Sequence, residues 1–172
     1  MNTFDNSEYV ISKNVIELIT VANDYCLFIE KISNYKKNEI YLYLLRISPL
    51  LFLKGSLIAD FEISDTDANE RFVNEEEWIA VYKNTKEIFA NDNSFYDTIN
   101  PTDNEAVKLE ISEIIADIYQ DLKDFILLYQ KESFAAKENA VYACRQLFKT
   151  NWGTKIIWLM KVMHFQLFHV II

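Results

Sequence analysis

Glycine and proline are scarce in this chain, two of each among 172 residues, where average usage would give about twenty of the two together. Sandwiches, barrels and doubly wound sheets turn often, and their tight turns draw on glycine, proline or Asn-Gly pairs. The shortage argues for a few long helices joined by few connections. Cysteine is equally scarce: Cys26 and Cys144 stand alone and form no Cys-x-x-Cys. Met1 is followed by polar Asn2, Thr3, Asp5 and Asn6, so no secretory leader is expected. These features fit two buried thiols in a reducing cytoplasm. Uninterrupted apolar runs are missing too. Ile40 to Ala59 contains Arg46, Pro49, Lys54 and Gly55, and Ile156 to Ile172 contains Lys161, His164, Gln166 and His169. A span needs about 18–20 nearly unbroken apolar residues, so both stretches read as buried helices and no membrane partner is expected.

Positive charge is also short. There are 17 basic against 26 acidic side chains, a net charge of −9. Such a chain repels phosphate backbones, so nucleic acid is not an expected partner. The imbalance is uneven: from Lys131 onward six basic residues face two acidic ones, and attraction between the two regions favours the last helix packing back on the body.

What is present is apolar periodicity, with 51% hydrophobic and 15% aromatic residues, enough for a sizeable core. Ser12 is a good N-cap, and Ile11 and Ile16 around it have the spacing of a hydrophobic staple. Val15, Leu18, Ile19, Ala22, Tyr25, Cys26 and Ile29 follow at three- and four-residue steps. A second helix over about Glu39 to Ile58 is apolar on most sides, which places it at the centre of the fold, and Pro49 should kink or break it. Asn74 and Glu77 form a capping box opening a third helix that ends near Ala90. After a loop from Asn91 to Pro101, Thr102 and Glu105 have the same spacing and open a fourth helix over about Asp103 to Lys131. Ser133 can cap a fifth, with a weak point at Trp152-Gly153. The expected fold is all-α: an antiparallel bundle of five or six helices in a single domain, 1–172.

The fourth helix holds the main polar feature. Glu110, Glu113, Asp117, Asp121 and Asp124 fall within an arc of about 80° at 100° per residue. Like charges one turn apart are mildly unfavourable, so basic neighbours, a cation or water should offset them. Arg145 and Lys149 share one face of the fifth helix, and Lys54, set in an apolar run, needs a partner. A di-iron bundle needs Glu-x-x-His on two helices, and neither histidine has that context. Glu110-x-x-Glu113 and Asp121-x-x-Asp124 have the residue types of a Mg²⁺ pyrophosphohydrolase but lie on one helix, which cannot wrap an ion. Asp65, Asp67, Asn69 and Glu76 fit part of a calcium loop, with Glu70 where the turn demands glycine. No Gly-rich phosphate loop or Gly-x-Ser-x-Gly elbow occurs. His164 and His169, five apart, sit about 140° apart on a helix and so are not neighbours for one ion.

Several strings resemble a known family: Val15-Ile16-Glu17 through Ala22-Asn23-Asp24-Tyr25-Cys26, Leu51-Phe52-Leu53-Lys54, Asn69-Glu70-Arg71-Phe72-Val73, Ala116 through Phe125, and Trp152-Gly153-x-Lys155. Together they are similar to a family of all-helical proteins of about this length, typical of Bacteroidetes and known only as a domain of unknown function. The resemblance implies a compact cytoplasmic bundle with no assigned activity. Its matching polar positions, the candidate site, are Lys54, Asp117, Tyr119, Asp121, Asp124 and Lys155, beside Trp152.

With no complete catalytic motif, no catalytic residue, metal ligand or cofactor is assigned. The expected role is non-enzymatic, through association with itself or another protein. The C-terminal helix, apolar on almost every side, is the expected contact for a second copy. The alternative is a carboxylate-dependent metal-binding protein, or a hydrolase of a small phosphorylated substrate, built on the acidic stripe.

Overall fold

The computed structural model describes residues 5–63 and 65–169; the start Met1 to Phe4, Ser64 and the last three residues of the C-terminal stretch lie outside them. Seven helices follow in order: α1 (Ser7–Val10), α2 (Lys13–Glu30), α3 (Lys37–Ser56), α4 (Glu75–Phe89), α5 (Ile111–Tyr129), α6 (Phe134–Leu147) and α7 (Gly153–Phe168). An antiparallel strand pair, β1 (Ser94–Asp97) and β2 (Val107–Glu110), sits between α4 and α5. The fold is mainly α-helical, as the glycine shortage implies.

Two of the local cap signals form as their spacing predicts. Ser12 Oγ accepts the Val15 N–H at 3.3 Å. Asn74 Oδ1 accepts from Glu77 N at 2.9 Å while Glu77 Oε2 accepts from Asn74 N at 3.0 Å, a complete capping box. Ser133 holds the N-cap position of α6 without a side-chain bond. The staple spacing buries little, since Ile11 and Ile16 are both exposed.

Three expectations need correction. α5 begins at Ile111, not near Asp103. Thr102 and Glu105 belong to a hairpin loop, and the strand pair brings Asn93 beside the true N-terminus, where its Oδ1 accepts the Ser112 N–H at 2.9 Å. A side chain 19 residues away thus caps the first turn of α5, while Thr102 and Glu105 turn the hairpin. Phe95 opposite Leu109 turns one face of the pair onto the core. Second, of the kink or break expected at Pro49 the break does not occur: α3 runs as one 20-residue helix with the ring on its exposed side. Third, the centre of the fold is α5, packed by α2, α4, α6 and α7, whereas α3 lies outside against α2 and α7.

The weak point at Trp152-Gly153 is a π-helical turn, Phe148–Trp152, joining α6 to α7. Both glycines of the chain serve it. A Cβ at Gly55 would overlap Trp152 and Phe148, so α3 lies against the π turn only because it has no side chain there; one at Gly153 would overlap the Phe148 carbonyl of the turn itself. Trp152 is fully buried and donates from Nε1 to the Cys144 carbonyl at 3.0 Å.

Candidate functional site

Asp117, Asp121 and Asp124 follow one another along one edge of α5 at four- and three-residue steps, and each meets a cation from outside the helix, Asp121 and Asp124 sharing one. Asp117 pairs with Lys155 from the first turn of α7 and accepts from Trp78 Nε1 of α4 at 2.8 Å. Asp121 accepts from Arg71 Nη2 at 3.1 Å and from Asn151 Nδ2 at 2.6 Å. Asp124 accepts from Arg71 Nε at 2.9 Å, and its other oxygen takes the backbone N–H groups of Phe72 and Val73 at 2.8 Å each. The repulsion within the stripe is offset by basic side chains, one of the three routes open at the sequence level.

Arg71 therefore straps the long α3–α4 connection onto α5. It bridges two carboxylates, while Asp124 also satisfies two amides just ahead of the Asn74 cap. Hydrogen bonding to Asp124 pushes the guanidinium of Arg71 further up from its already high range. Burial raises the Asp121 carboxyl above the ordinary range, outweighing the opposing pull of Asn151 and Arg71; only 3% of Asp121 is exposed.

Beside this strap lies a cleft of about 370 Å³ between the connection, α5 and α6, lined by Arg71, Asp121, Asp124, Phe125, Asn139 and Cys144 among others. Asn139 is spent on structure, donating to the Asp65 and Ala135 carbonyls. Burial holds the Cys144 thiol far above its usual range, so it offers no thiolate nucleophile. The carboxylates are engaged by donors rather than aimed at a common point. Among the described residues, no three histidine, cysteine, aspartate or glutamate side chains converge as a metal-ligand set.

The other candidate residues lie elsewhere. Lys54 pairs with Glu17 of α2 at 2.5 Å. Tyr119 donates to Glu30 at 3.0 Å, beside the Lys123–Glu30 pair at 2.7 Å. Glu110 precedes α5 and accepts from Tyr82 at 2.7 Å with Lys86 at 3.4 Å; Glu113 is exposed. Arg145 and Lys149 do not face the stripe: both hold Asp60, Arg145 through Nε and Nη2 at 2.5 and 2.7 Å and Lys149 at 2.8 Å. Bonding to Arg145 and then Lys149 keeps the Asp60 carboxyl well below the usual carboxylate range. The partial calcium pattern is a 3₁₀ turn, Thr66–Ala68, in which Asp65 accepts from Asp67 N at 3.0 Å. Arg71, Trp78, Asn139 and Asn151 were not singled out from the sequence. Of these, only Arg71 stood in a string that carried the family resemblance.

Comparison with known proteins agrees with that resemblance. No curated protein matches the chain. The crystal structure of protein BF1032 from Bacteroides fragilis is similar over 92% of this chain and 94% of its own, at 32% identity and a TM-score of 0.83. The model of a domain of unknown function, DUF5063, matches residues 9–169, and the chain belongs to that family.

Proposed function

We propose that the chain acts by association rather than catalysis, with a second copy covering apolar side chains that α3 and α7 leave outside the bundle. The observation that carries this reading is the outer face of α3. Leu50, Leu53 and Leu57 are 47%, 50% and 45% exposed, at three- and four-residue steps on the side opposite the core. α7 adds Ile157, Phe165 and Phe168, also exposed, while Ile156, Leu159, Val162 and Met163 turn inward. Covering such surface gains about 25 cal/mol per Å², and apolar strips left in water mark contact sites.

The paired carboxylates support the same reading, because their charges are spent on holding the bundle together. No helix among the described residues is long and apolar enough to cross a membrane. With both cysteines buried as free thiols and a net charge of −9, a protein partner in a reducing cytoplasm suits the chain better than nucleic acid. Sedimentation velocity tests the proposal. The wild type should grow in mass with concentration, and Leu53→Glu should hold it monomeric with an unchanged circular dichroism spectrum. A wild type that stays strictly monomeric at high concentration would overturn it.

A further inference from the structure

The end of α7 overturns one reading of the sequence. On an unbroken helix His164 and His169 would point about 140° apart. α7 stops at Phe168, however, and His169 leaves it at φ −110° and ψ 56°, its N–H donating to the Phe165 carbonyl at 2.9 Å. That bend lays the His169 ring on Phe165, with centroids 4.9 Å apart and planes 5° from parallel. His164 packs against Phe168 at 4.9 Å. The two imidazoles stand 5.8 Å apart, centroid to centroid.

We propose that His164 and His169 chelate one divalent cation of the Zn²⁺ class. A Zn–N bond of about 2.0–2.1 Å plus the radius of the ring sets each centroid about 3.2 Å from the ion, so two rings on one ion stand about 5 to 6.4 Å apart. The observed separation falls inside that window. Both histidines are exposed, and neither ring nitrogen is taken by a hydrogen bond among the described residues, so the donors are available. The phenyl rings of Phe165 and Phe168 pack against the imidazoles and limit their rotation. Lys161, the cation one turn earlier, is paired with Asp97 at 2.8 Å, which lessens its repulsion of a metal. With two imidazoles and no carboxylate, the site favours Zn²⁺, Cu²⁺ or Ni²⁺ over Mg²⁺ or Ca²⁺. Water fills the remaining positions. The site adjoins the α7 side chains proposed above to meet a second copy, so its titration belongs at a concentration where the chain is monomeric.

Zinc chloride titrated into the full chain, followed by NMR of the two imidazole Cε1–H signals, tests the proposal. Both signals should move together with one midpoint, His164→Ala or His169→Ala should weaken that midpoint about tenfold or more, and Mg²⁺ should move neither. Both side chains are exposed, so each variant keeps its fold. If neither signal responds at millimolar zinc, or if each single-histidine variant binds as tightly as the parent, the proposal fails.

Discussion

α3 and α5 are nearly the same length but occupy opposite places in the fold. α3 is rich in leucine, yet only seven of its 20 residues are buried. α5 carries four carboxylates, yet 13 of its 19 residues are buried, Asp121 and Asp124 among them. Apolar content alone would have put α3 in the middle. What matters is whether neighbours can satisfy every side of a helix. α5 has an isoleucine-rich face for α2 and α6 and a polar edge matched by Arg71, Lys155, Trp78 and Asn151. α3 has separate pairs instead, Lys37 and Tyr41 with Asp92 and Lys54 with Glu17, and its outer leucines meet water.

The sharpest way to break this contrast is to remove one carboxylate from the central helix. Asp124→Ala leaves Arg71 with Asp121 alone and strands two backbone amides, and should cost about 3–5 kcal/mol in urea unfolding. If the loss is a few tenths, the strap is decorative and the centrality of α5 rests on its apolar face alone. Ile118→Ala in the same helix, at a position with no exposure, should cost about 3 kcal/mol by loss of burial and an unfilled cavity.

A gentler probe is pH. The native state holds the proton of Asp121 more tightly than the unfolded chain does, because burial disfavours its charged form. Its contribution is therefore fully present below the unfolded pKa of about 3.9 and is lost as pH rises through the raised native value. Asp121→Asn should flatten that part of the stability profile, measured by unfolding at successive pH values above 4. The smallest effect belongs to α3: Leu53→Ala should change monomer stability by no more than about 0.5 kcal/mol. A loss as large as that of Ile118→Ala would show that the outer leucines are core residues of the single chain.

Legibility followed distance along the chain. The Ser12 cap and the Asn74–Glu77 box join residues three apart, and their spacing was enough to locate two helix starts. The bond from Asn93 to Ser112 spans 19 residues, and it moved the start of α5 eight residues beyond the local signal. Arg71 meets Asp121 and Asp124 across 50 and 53 residues, so no spacing rule could nominate it, although the carboxylates themselves were found by helical periodicity. Lys54 shows the same limit from the other side. Its need for a carboxylate was evident from its apolar run, but the choice of Glu17 over the α5 stripe was made by which helix packs beside it. His164 and His169 lie closer than a continuing helix would set them, because periodicity holds only while the helix continues.

By itself the sequence determined that the chain is helical, where most of its helices start, and that one of them bears a row of carboxylates, since these depend on residues within a turn or two of one another. Only the tertiary structure decided which helix is central, which cation neutralises which carboxylate, and that two histidines meet at the end of α7. Those outcomes depend on the desolvation and pairing of groups brought together by packing, and the energy of such a contact has no counterpart in the order of the residues along the chain.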